Sequence, residues 1–121
     1  TETVLVVEDE PKILEGCVAF LEALGYTVLS ATLPSEALRV AEVHEGPIQL
    51  LLTDVVMPEM SGHALADRLT AARPTLRRLY MTGYADSVQR QVGIDEGLRL
   101  LNKPFALDER AHAVRAALDA T

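Results

Sequence analysis

The chain has 121 residues, of which 49% are apolar and 24% charged. That is the size and balance of one globular domain with a real core, and it excludes a disordered chain. The 18 acidic and 11 basic side chains leave a net charge of −7, which argues against nucleic acid or an anionic membrane surface as a direct partner. Cys17 is the only cysteine, so no intrachain disulfide can form, as suits a reducing compartment. No apolar run approaches a membrane span and the first residues do not read as a signal peptide, so the expected location is cytoplasmic.

Residues 3–7, Thr-Val-Leu-Val-Val, form a short β-branched apolar run that predicts a buried strand. It ends in Glu8-Asp9-Glu10-Pro11. A helix then sets Ile13, Leu14, Cys17, Val18, Leu21 and Leu24 on one stripe and stops at Gly25. Residues 26–30 predict a second strand, and Pro34 opens a helix that runs to about Glu45 before Gly46-Pro47 breaks it. Gln49 to Thr53 predicts a third strand that runs into Asp54. After Pro58 and Gly62 a helix carries Leu65 and Leu69 and closes before Pro74. A fourth strand over 77–82, a short helix over 86–92, a fifth strand over 98–101 and a last helix with Leu107, Ala111, Val114 and Leu118 complete the pattern. Five strand–helix repeats predict an α/β domain: a parallel sheet covered by helices on both faces.

Ligands in open parallel sheets bind beyond the carboxyl ends of the strands. Those ends carry Glu8 and Asp9, Asp54, Thr82 and, after the fifth strand, Lys103. Three carboxylates at one edge repel one another, and a divalent cation offsets that repulsion. Hard oxygen ligands point to Mg²⁺, which keeps waters for a phosphate to replace. His44, His63 and His112 are scattered and Cys17 lies on a helix stripe, so zinc is a poor fit. His63, just after Gly62, is expected to be exposed. A carboxylate, a metal, a hydroxyl and a lysine together suggest phosphoryl transfer onto the Asp54 oxygen, carried by positioning and electrostatics.

Four motifs in this order resemble the receiver domain of two-component response regulators, above all those attached to hybrid sensor histidine kinases. They are Val-Val-Glu8-Asp9-Glu10-Pro11, the run from Leu52 through Asp54 and Met57-Pro58 to Gly62, Met81-Thr82-Gly83-Tyr84-Ala85, and Leu101-Asn102-Lys103-Pro104-Phe105. The resemblance covers essentially the whole chain, 1–121. It implies a flavodoxin-like (βα)5 fold with strand order 2-1-3-4-5. Asp54 is implied as the phosphoacceptor, Thr82 as the switch hydroxyl and Lys103 as the phosphate-binding lysine, with a cis bond before Pro104. Metal ligands are implied at Asp9, Asp54 and the main-chain carbonyl of Val56, with Glu8 ligating directly or through water. A histidine kinase or histidine phosphotransfer domain would donate the phosphoryl group, the domain itself would provide for transfer and slow hydrolysis, and a shifted surface would support dimerisation, kinase contact or intramolecular control. Val56 and Tyr84, two positions beyond Asp54 and Thr82, border the path of attacking water in similar domains. Leu100 stands where the family often has an aromatic residue, so the expected switch is muted or runs through the loop after Thr82.

Taken singly, each residue has a plainer reading. A lone aspartate after a strand is ordinarily a turn or helix cap, and Asp9 would suit a cap for the helix near Pro11. Their conjunction at matching strand ends favours the pocket. A phosphorylation-independent interaction module is the main alternative. A nucleotide-binding enzyme lacks its glycine-rich loop after the first strand, and an Asp-x-Asp phosphatase fails at Val56.

Overall fold

The computed structural model describes residues 2–82, 100–102 and 114–119, with the backbone alone at 82 and 100–102. The chain alternates β1 (Thr3–Val7), α1 (Pro11–Ala23), β2 (Thr27–Ala31), α2 (Pro34–Val43), β3 (Leu50–Asp54), α3 (Gly62–Ala72), β4 (Arg77–Thr82) and β5 (Leu100–Asn102). Residues 114–119 are helical. All the strand pairs are parallel. β1 lies between β2 and β3, with Val7 opposite both Ala31 and Thr53. β3 pairs β4, placing Asp54 opposite Met81, and Thr82 pairs Asn102 on the far side of β4. The order across the first four strands is therefore β2-β1-β3-β4.

Side chains alternate between faces along each strand, and this alternation divides the core in two. Leu5, Val7, Leu51 and Tyr80 meet Ala37 and Ala41 of α2 and Leu65, Ala66 and Leu69 of α3. Val4, Val6, Leu50, Leu52, Leu79 and Met81 meet Cys17 and Leu21 of α1, together with Val114, Ala117 and Leu118. β1 and β3 are buried along their whole length, as central strands covered on both faces must be. At roughly 25 cal/mol per Å² of apolar surface, these two layers are the main stabilising contribution to the fold.

The boundaries differ from the sequence reading by one or two residues. β2 begins at Thr27 because Tyr26 still donates its N–H to the Leu21 carbonyl at the end of α1. α2 stops at Val43, since His44 is already extended. Leu24, read as part of the α1 stripe, is 48% exposed. It follows the last helical residue as the C-cap, and Phe20 packs against that core layer instead. Gly25 takes the left-handed turn at φ 99°. The helix read over 86–92 and the first part of the last helix, with Leu107 and Ala111, lie outside the described residues.

Candidate metal and phosphoryl site

β1 delivers Glu8 and Asp9 one and two steps past its last residue, and β3 ends on Asp54. Because Val7 and Thr53 are register partners, the three carboxylates emerge side by side at the carboxyl edge. One oxygen from each lies within 4.8 Å of the other two. Glu8 is 0% and Asp54 3% exposed, whereas Asp9 is open to solvent. The cluster is a half-open cup: two acids at the bottom and one at the rim.

Neighbouring groups fix Glu8 and the main chain of Asp54. Glu8 donates its N–H to the Ala31 carbonyl at 3.2 Å, and its Oε2 accepts the Glu10 N–H at 2.9 Å. The Thr53 hydroxyl, buried, donates to the Asp54 carbonyl at 3.0 Å. Gly62 donates its N–H to the Val55 carbonyl at 2.8 Å, closing the loop that leaves β3. Within that loop Glu59 adopts a left-handed φ of 74°, which costs a non-glycine residue about 1–2 kcal/mol. Its carboxylate accepts both the N–H and the hydroxyl of Ser35, at 2.8 and 3.0 Å.

The plainer readings of the acids lose ground here. The N-cap of α1 is Glu10, without a side-chain cap bond, so Asp9 does not cap that helix. The cap of α3 is Ser61, whose hydroxyl accepts the Ala64 N–H at 3.1 Å, so neither does Asp54 cap α3. Three carboxylates so near one another repel, and an all-oxygen donor set suits a hard divalent cation rather than zinc. Softer donors stand elsewhere: Cys17 is buried in the α1 layer, and His63 stacks on Tyr80 with ring centroids 4.5 Å apart. That stacking corrects the expectation of an exposed His63; the ring packs over the sheet from the first turn of α3.

The backbone brings Thr82 to the same edge, one register step beyond Met81, the partner of Asp54. Val56 lies two residues past the end of β3 and is 49% exposed. Lys103, Pro104 and Tyr84 lie outside the described residues. The sequence reading missed three contributors. They are Thr53, Gly62 as a close-packing position, and the Glu59–Ser35 pair. The run Pro58-Glu59-Met60-Ser61-Gly62 signals a turn, not these contacts.

Among the described residues no helix is long and apolar enough to cross a membrane. Residues 4–115 match the family described as "Response regulator receiver domain". The sensor kinase CckA of Brucella abortus (strain 2308) is 38% identical over 118 residues, covering 97% of this chain but 12% of that protein. The response regulator receiver protein CpdR of the same organism is 33% identical over 116 residues, covering 95% of each chain. A response regulator receiver domain protein from Clostridium thermocellum superposes with a TM-score of 0.85 at 28% identity, over 98% of this chain and 95% of that one. The chain thus spans a small part of some curated relatives and nearly all of others. It has their flavodoxin-like parallel-sheet fold, and it belongs to the response regulator receiver domain family, as a phosphoacceptor module of two-component signalling.

Proposed function

We propose that Asp54 is the phosphoacceptor and that Glu8, Asp9, Asp54 and the Val56 carbonyl hold Mg²⁺ beside it. The observation that carries this reading is the convergence of the three carboxylates, one of them the buried last residue of a central strand. Mg²⁺ held there would supply positive charge to offset the carboxylates and the incoming phosphoryl group. An Asp54 oxygen attacks phosphorus, the P–N bond of a phosphohistidine breaks, and its electron pair returns to the imidazole nitrogen. The product is an acyl phosphate on Asp54. Lys103 neutralises one phosphoryl oxygen and Thr82 donates a hydrogen bond to another. Burial of Glu8 and Asp54 fixes the acids before the donor arrives, so positioning supplies much of the rate.

In this reading the whole chain, 1–121, acts as one receiver domain with the complete strand order 2-1-3-4-5. It works in the cytoplasm. The donor is a histidine kinase or histidine phosphotransfer domain, and the net charge of −7 supports a protein partner rather than nucleic acid. Phosphorylation shifts a surface that supports kinase contact or a homodimer. The test is intact mass after incubation with Mg²⁺ and a small phosphodonor, repeated with a phosphorylated histidine kinase. One added phosphoryl group, lost in D54A and in EDTA, is expected. No added mass from either donor would favour a phosphorylation-independent interaction module.

A further inference from the structure

The loop between β3 and α3 is pinned at two places. At its base, Gly62 donates to the Val55 carbonyl. At its far end, Glu59 reaches across to the first turn of α2 and takes both the main-chain N–H and the hydroxyl of Ser35. Val56 lies between these two points. Glu59 holds a left-handed backbone that a glycine would adopt without strain, and both residues are exposed, so neither is needed for the core. A strained, exposed residue held by two hydrogen bonds to another element is a reason to look for function.

We propose that Glu59 and Ser35 form a clasp that fixes the loop carrying the Val56 carbonyl, and so sets the affinity of the acidic cup for Mg²⁺. The proposal rests on the metal site described above, and it makes Glu59 and Ser35 positioning residues. The clasp joins α2 to the loop that leaves Asp54, so the position of α2 and the shape of the metal site are linked. Ordering a loop before the ion arrives lowers the ordering cost of binding, and groups that orient a metal's ligands commonly alter affinity about tenfold or more.

The experiment is a Mg²⁺ titration of the 121-residue chain, followed by backbone amide NMR shifts of the cup and loop, with no phosphodonor present. E59A is expected to raise the Mg²⁺ Kd by about three- to tenfold and S35A by a smaller factor, while the double variant is no worse than E59A. E59G should lose Mg²⁺ affinity as E59A does, although its backbone strain is relieved. E59Q keeps an acceptor for the Ser35 N–H and removes the charge, so it should stay within about twofold of wild type. If E59Q matches E59A, the charge of Glu59 rather than its clasp sets the affinity, and the proposal is overturned. It is also overturned if E59A, E59G and S35A bind as wild type does. A wild-type chain that binds no Mg²⁺ would instead remove the metal site itself, and the clasp's role with it.

Discussion

Gly62 backs directly onto the main chain of Asp54. A Cβ at position 62 would collide with the Asp54 carbonyl oxygen and stand 3.0 Å from its carbonyl carbon and 3.2 Å from Thr53 Cγ2. The first residue of α3 therefore fits only because it has no side chain, and relief would have to come from the end of β3. G62A is expected to destabilise the fold by about 1–3 kcal/mol, as overpacking against a rigid neighbour does. It should also slow phosphorylation of Asp54, because the displaced backbone carries the acceptor. Urea unfolding beside a phosphorylation time course checks both; a variant with wild-type stability and rate would mean that the loop yields elsewhere.

The three carboxylates predict that Mg²⁺ and charge removal each stabilise the fold, and that removing the charge weakens the effect of Mg²⁺. Oxygens within 4.8 Å of one another repel by on the order of 1–3 kcal/mol at the effective dielectric of a protein edge. Without metal, D54N should therefore unfold at a higher temperature than wild type. With Mg²⁺ at a hundred times its Kd, wild type should gain about 2.7 kcal/mol, and D54N much less. Thermal unfolding in EDTA and in MgCl₂ gives all four values. A D54N variant no more stable than wild type in EDTA would show that the acids are not in conflict in the free protein.

Much of this site was legible from the chain because strand ends are. Five short apolar runs, each ending in a polar residue, place Glu8, Asp9, Asp54 and Thr82 at one edge before any coordinate is known, and parallel pairing does the rest. The contacts that hold the loop were not legible. Glu59 and Ser35 are 24 positions apart, and nothing in the local sequence says that they meet. The close approach of Gly62 is equally hidden, since glycine after a turn reads as a turn residue. His63 was misread for a related reason: its polarity suggested solvent, but the flat ring of Tyr80 gives it a surface to lie on. Leu24 erred the other way, because helical periodicity continues on paper past the residue where the helix ends.

Arg73 offers a way to separate stability from the site. It follows α3, and its guanidinium donates to the carbonyls of Ala41 at 2.9 Å, His44 at 3.1 Å and Gly46 at 2.8 Å. One cation thus satisfies carbonyls at the end of α2 and in the turn beyond it. R73A leaves these carbonyls to water and should cost about 1–3 kcal/mol. The helix ends it joins face away from the carboxyl edge of the sheet, so phosphorylation by a small donor should proceed at the wild-type rate under native conditions. A large loss of rate at unchanged stability would tie this edge to the site and contradict the argument.

Arg115 should give a small, pH-dependent contribution of definite sign. Its Nη2 lies 2.7 Å from Glu2 Oε2 and 2.9 Å from Asp119 Oδ1, joining the last helical segment to the start of β1. The hydrogen bond from Arg115 holds the Glu2 carboxyl below its ordinary value of 4.5. A carboxyl lowered in the folded state contributes stability above its unfolded value, and that stability is lost as the pH falls through the folded one. The side chains are 46% and 35% exposed, so water and salt screen the pair and the effect stays small. R115A should therefore be slightly less stable than wild type at neutral pH. The two should converge as the pH falls below the ordinary carboxylate range and Glu2 protonates, and also at about 1 M salt, where the Debye length falls to about 3 Å. Unfolding midpoints across pH, at low and high salt, read this out. A difference that persists at low pH would assign the role of Arg115 to packing of its alkyl chain, which does not titrate.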